Sequence, residues 1–387
     1  NTSYNTAVIR ITTNTATLTL GKEDGNVSIT NPEIIGSRYG INNEGNGTFN
    51  FYDGIIKGKT AINGNLSAKE KGYEVITTEE NEIETAILGN LPVAKIGEKE
   101  YYTFQETFDA CPSDGTETTV EVLRNCTTDM ANIIEENKNI VLDIQSYKIV
   151  SGIENLFTNN GKFKIVDSIG NGRIISAKGT ILKNEETGNF AINNITMQMT
   201  GSSAIDETIE NKGMLEVTGG VIISDGLKNK CINNIEQGTV KITGGTVSAY
   251  TYAIYNTSSN KVEIEGGTVQ ATYYYEGYSA IYNNTENGVV EIKGGLVTNQ
   301  GKAIENKKGT IKVTGGEIRT TQGDTRYSEC GIYNNGKVII EDGKVAALYR
   351  GSGIQNEGGT IEITGGTVSA PEWYNSIINR GTCLLYT

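Results

Sequence analysis

The residues of this chain that could act on another molecule are of two kinds: acids at repeated corners and aromatics in variable loops. Asp53, Asp167 and Asp342 occupy places where other repeats carry paired glycine. Cleaving a sugar chain takes acids converging from neighbouring turns, either as a pair or as a calcium site beside an Arg or Lys. Each of the three stands alone. Asp53 lies in a separate part of the chain, and Asp342 has Gly315-Gly316 and Gly365-Gly366 on either side. Histidine, the commonest general base and metal ligand, does not occur in the 387 residues. There is no P-loop, zinc pattern or nucleophile elbow, and "GNGRI" is too short for a dinucleotide loop. The expectation is no catalytic residue, no metal, no cofactor and no enzymatic activity.

The aromatics carry more information. Twenty tyrosines against seven phenylalanines is a surface-biased choice. They gather in one variable segment as Tyr250, Tyr252, Tyr273, Tyr274, Tyr275, Tyr278, Tyr327, Tyr349, Trp373 and Tyr374. Glu276, Asp324, Arg326, Arg350, Glu372 and Asn375 are interleaved with them. Rings among polar groups suit a glycan or a protein surface, because ring faces meet apolar sugar faces and hydroxyls hydrogen-bond. The plainer reading of the same rings is that they pack the loops together and shield the strands beneath. Thr13, Thr15, Thr17 and Thr19 alternate like an ice-binding rank, but later repeats place Lys, Glu, Gln and Ser outward, so they read as an ordinary exposed strand face.

What positions these loops is a repeat. "TVKITGGTVSA" recurs with variations six times after residue 238. A second phrase, an aliphatic followed closely by Asn, marks Asn211, Asn233, Asn256, Asn283, Asn306, Asn334, Asn356 and Asn379, in steps of 22 to 28 residues. Weaker matches continue upstream at Asn184, Asn159 and Asn137. Each unit holds three short alternating pieces with β-branched residues, and the paired glycine supplies a tight corner. Three strands per turn, stacked on like turns, make an all-β, right-handed parallel β-helix. The aligned asparagines are then a structural ladder of side-chain amides. Eleven ladder positions predict an array about 50 Å long.

Hydrophobic content is 36%, low for a globular core of this length but sufficient for the narrow apolar channel of a solenoid. Net charge is -13, which opposes nucleic acid and anionic membrane as partners. No segment reads as a membrane span. Cys111 and Cys126 bracket a short polar loop and could form a disulfide, whereas Cys231 and Cys330 fall on the order of 19 Å apart.

The amino-terminal part repeats the grammar once, with Asn42 and Asn63 either side of "FYDG". Residues 1–75 read as the end of one β-helical array and 76–100 as a charged cap and connector. Residues 101–387 read as a second array that begins with a capping helix. Phe104 and Phe108 mark that helix's apolar face, and Thr103 with Glu106 resembles a capping box. Such a helix would cover the first exposed strand edge.

"VAKIGEKEYYTFQETFDA", "IVLDIQSYKI" and "GKFKIVDSIGNGRI", after an array ending in "FYDGIIKG", resemble pectate-lyase-like right-handed β-helix modules of large secreted proteins of Gram-positive gut bacteria. The resemblance runs from about Gly40 to the end; "LDIQS" stands where the family usually has "LDLNG". It implies secretion or cell-surface display and an adhesin-like or structural role, and it carries over no catalytic residue. The expected function is a non-catalytic surface adhesin or stalk that binds a glycan or a host or bacterial surface protein along the tyrosine loops. A structural spacer or filament-forming subunit, with end-to-end self-association, ranks second. A polysaccharide lyase or hydrolase ranks third.

Overall fold

The structure is a computed structural model that describes residues 7–23, 27, 32–70, 73–89, 91–201, 207–226, 229–272, 278–321 and 329–386. The chain is an all-β, right-handed parallel solenoid of about 14 turns with one short helix among the described residues. It divides into two compact units, Asn1–Pro92 and Val93–Thr387. No helix among the described residues is long and apolar enough to cross a membrane.

In the second unit one turn consists of Lys230–Asn234, Thr239–Ile242 and Thr246–Ala249. The next repeats it as Tyr252–Asn256, Val262–Ile264 and Thr268–Ala271, each strand parallel to its counterpart. Val240 and Ile242 point inward, at 1% and 0% exposure, while Thr239 and Lys241 point out. That alternation is what places β-branched residues on a half-buried pleat. The corner needs glycine for a specific reason. Gly245 has φ +75°, and a Cβ there would lie 2.6 Å from the carbonyl oxygen of Gly220 in the turn below. Leu182, Ile209, Ile232, Ile254, Ile281, Ile304, Ile332 and Ile354 stack in register, all fully buried. Each such side chain contributes about 1.5–3 kcal/mol of transfer free energy.

Beside this row runs the asparagine ladder. Asn159, Asn184, Asn211, Asn234, Asn256, Asn283, Asn306, Asn334, Asn356 and Asn379 each join the next by an amide-to-amide hydrogen bond of 2.7–2.9 Å. Two expected members are corrected. Asn234, not Asn233, is the rung of its turn; Asn233 points to the outer side, towards Lys230 and Glu207. A one-residue slip on a strand exchanges the two faces, and tandem asparagines hide it. Asn137 is not a rung either, because the residue in register with Asn159 is Ile134, buried in the core.

The helix Phe104–Ala110 opens the second unit with the expected capping box. Thr103 Oγ1 accepts from the Glu106 N–H at 3.1 Å, and Glu106 Oε2 accepts from the Thr103 N–H at 3.2 Å. Phe108 packs against Phe157 and Phe163, with ring centroids 6.2 and 5.8 Å apart. Cys111 and Cys126 are buried and are not bridged to each other. Cys111 ends the helix with its thiol donating to the Thr107 carbonyl at 3.4 Å, while Cys126 opens a strand that pairs with Lys148–Ser151.

In the first unit Ala7–Arg10, Tyr39–Asn42 and Thr60–Asn63 stack in parallel, and Asn63 Nδ2 donates to Asn42 Oδ1 at 2.7 Å. Phe49, Phe51, Ile41 and Ile56 fill its interior. The charged stretch after residue 73 is a β-hairpin, Glu74–Glu80 with Ile83–Gly89, whose second strand pairs antiparallel with Ile55–Gly58. Residues 94–101 form strands of the second unit, so the segment 76–100 is shared between the units.

Candidate functional site

In the second unit the variable segment of each turn precedes its ladder strand in sequence. The structure places the ten expected loop aromatics in three ways. Tyr273, Tyr274, Tyr275 and Tyr327 lie outside the described residues. Tyr250, Tyr252 and Tyr278 are half-buried. Tyr349, Trp373 and Tyr374 are exposed, at 69%, 87% and 43%. Tyr349 and Trp373 sit in the corresponding loops of successive turns, before the paired strands Ser352–Asn356 and Ile377–Asn379. Trp373 rides on a turn closed by the Tyr374 N–H donating to the Pro371 carbonyl at 2.9 Å. Leu348, 41% exposed, widens the apolar surface.

Tyr252 and Tyr278 belong to a cluster built mostly from residues outside the loops. The position immediately before each ladder asparagine faces outward, and in register it reads Glu210, Asn233, Tyr255, Tyr282, Glu305, Tyr333 and Gln355. Tyr255 and Tyr282 stack with centroids 4.7 Å apart and planes 14° apart. Tyr252 meets Tyr255, Tyr278 and Tyr282 edge-on at 5.3–5.6 Å. The ammonium of Lys230 lies 4.2 Å from the Tyr255 centroid, closing that end of the stack. Burial raises the Tyr252 and Tyr282 hydroxyls above the usual phenol range, and the Glu305 carboxylate adds to it.

Glu305 points outward yet is only 2% exposed. Its Oε1 receives Lys302 at 3.3 Å and Lys307 at 2.8 Å, while its Oε2 has no hydrogen-bond partner. Both ammoniums also lie over the Tyr333 ring, at 4.2 and 5.5 Å. The hydrogen bond to Glu305 holds Lys307 above its ordinary value.

A second charged group lies at the other end of the row. Glu207 is 9% exposed, and its Oε1 accepts from Asn233 Nδ2 at 3.4 Å. Lys230 donates to Asn233 Oδ1 at 3.1 Å. Burial, and then the hydrogen bond with Glu210, push the Glu207 carboxyl up to about 7. Burial pulls Lys230 down in spite of both glutamates.

The corner acids are engaged in their own turns. Asp53 and Asp342 each accept from the next backbone N–H, Gly54 and Gly343, at 2.7 Å. Asp167 is buried, which pushes its carboxyl up, but backbone N–H groups of Gly172, Gly170, Ser146 and Ile169 outweigh that and hold it below the usual range. The row Tyr255, Tyr282, Glu305 and Tyr333 escaped the sequence reading although its signal was there: the letter before Asn in "AIYN", "AIEN" and "GIYN".

No protein-family model, curated protein or solved structure matches this chain. The likeness to pectate-lyase-like modules therefore stands on the β-solenoid alone.

Proposed function

We propose that this chain is a non-catalytic recognition solenoid of the extracellular adhesin or stalk type, whose aromatic outer face binds glycan. The observation that carries the reading is the pair of exposed rings Tyr349 and Trp373 on corresponding loops of adjacent turns. Rings left in water at that spacing present apolar faces for which the folded chain itself has no use. Arg350, Glu372 and Asn375 supply hydrogen-bonding groups around them. A rigid ladder-and-isoleucine body is suited to holding such a face away from whatever anchors it.

One observation favours a plain spacer instead. The faces of Tyr255 are taken by Lys230 and Tyr282, so that part of the row packs against itself. A glycan and mucin array probed with the intact chain and with a Tyr349→Ala, Trp373→Ala double variant separates the two readings. Binding lost in the variant supports recognition; an array left blank by the folded wild type leaves the spacer.

A further inference from the structure

One strand of the first unit has an open side. Its sheet runs Glu33–Ile35, Ile55–Gly58, Ile83–Gly89, Glu74–Glu80, so Glu74–Glu80 is the last strand. Among the described residues it pairs only with Ile83–Gly89. The two-residue turn at Asn81 and Glu82 makes Glu80 and Ile83 a hydrogen-bonded pair, and bonded and non-bonded pairs alternate from there. Val75, Thr77 and Glu79 therefore aim their N–H and C=O groups away from the hairpin. The far side of the hairpin has the same phase. The Lys57 carbonyl accepts from the Gly36 N–H at 2.8 Å, which leaves Ile56 and Gly58 to bond Ala86 and Glu84. No backbone group among the described residues meets Val75, Thr77 or Glu79 on the open side, and Thr77 and Glu79 are exposed. An uncovered strand edge is a template for one more strand.

The side chains select which strand fits. Glu79 stands directly opposite Glu84 across the hairpin, and Glu84 is held in place by accepting the Ala61 N–H at 2.8 Å. Like charges directly opposite each other are destabilising. Neither Glu79 nor the exposed Glu80 has an ion-pair partner among the described residues; Lys57, Lys59 and Lys69 are taken by Glu33, Glu82 and Glu74. A second copy of this chain fits badly. Antiparallel pairing over the full strand would set Glu80 of one copy against Glu74 of the other at both ends. A strand carrying Lys or Arg instead adds backbone hydrogen bonds and offsets the carboxylates together. We propose that Glu74–Glu80 takes an extended, lysine- or arginine-rich segment of another protein as an added strand. Val75, Thr77 and Glu79 supply the backbone bonds, and the Glu79 and Glu80 carboxylates select the cations. This site lies in the first unit and is independent of the glycan-binding reading.

The test is fluorescence anisotropy on the full chain with a short capped peptide alternating lysine and valine. Its glutamate–valine counterpart and a fully backbone-N-methylated form of the lysine peptide are the controls. Thr77→Pro removes one outward N–H without touching a hairpin bond, a place where an edge strand tolerates proline. A Glu79→Lys, Glu80→Lys variant reverses the charge. The lysine peptide should bind wild type saturably and about tenfold or more weakly in either variant, with amide exchange slowed across Val75–Glu79 in the complex. The N-methylated peptide should not bind. Undiminished binding in folded Thr77→Pro, or equal binding of the N-methylated peptide, would mean charge attraction without an added strand and overturns the proposal. So would no binding at all, equal binding of the glutamate peptide, or a wild type that dimerises with exchange slowed across this strand. Should Thr77→Pro fail to melt cooperatively, the N-methylated peptide alone decides.

Discussion

Asn211 donates through Nδ2 to Asn234 Oδ1 at 2.7 Å, and Asn234 passes the pattern on to Asn256 at the same distance. All three side chains are at 0% exposure. Replacing Asn234 by alanine leaves Asn256 Oδ1 without its amide donor in a dry interior and takes from Asn211 Nδ2 the shortest of its three acceptors, the Gly213 and Thr239 carbonyls remaining. The expected cost is about 3 kcal/mol in chemical denaturation. Asn233→Ala, one residue earlier and turned to Lys230 and Glu207, loses two longer bonds of 3.1 and 3.4 Å and should cost about 1 kcal/mol. Equal losses from the two would mean that the ladder does not run through Asn234.

The hairpin that ends the first unit turns through Asn81 and Glu82, both at positive φ, +52° and +64°. That is a two-residue turn of the kind Asn-Gly favours, with Glu in the glycine's place. Glu82 is 85% exposed and makes only a surface pair with Lys59 at 3.5 Å, worth little. Glu82→Gly should therefore stabilise the hairpin by about 1 kcal/mol, read as slower amide exchange across Glu74–Glu80 and Ile83–Gly89. Unchanged or faster exchange would contradict the assigned turn.

Glu207 makes stability depend on pH in a defined direction. Its carboxyl is raised from 4.5 to about 7 in the fold, so the native state holds its proton more tightly than the unfolded chain. The contribution is complete below pH 4.5 and is lost as pH rises towards and through 7. Glu207→Gln should melt close to wild type near pH 4.5 and above it at pH 8. A difference that does not grow between those two pH values would rule out the raised carboxyl.

Much of the fold was legible because a solenoid writes its structure as a period. Paired glycine at Gly244-Gly245 marks a corner, "TVKI" a half-buried strand, and the Phe104 and Phe108 spacing a cap. What escaped was set by single-residue detail. "CINN" offers two asparagines for one rung, and the inward row of Ile232, two residues before Asn234, decides between them. The hairpin after residue 73 lacked its turn signal because Glu82 stands where glycine would announce it. The disulfide expectation failed because proximity in sequence said nothing of direction, and the Cys111 thiol is turned to Thr107. The tyrosine signal in the sequence points to loops, yet three of the four clustered rings, Tyr252, Tyr255 and Tyr282, lie on the ladder strands, where Tyr255 and Tyr282 meet only once the turns are stacked.

Titration calorimetry of the glycan best retained on the array, followed by mass analysis of the recovered glycan, bears most directly on recognition without chemistry. Wild type should give saturable heat, the Tyr349→Ala, Trp373→Ala variant should bind about tenfold or more weakly, and the glycan should return at its original mass. Shortened glycan chains, or equal affinity in the two proteins with both fully folded, would contradict the account.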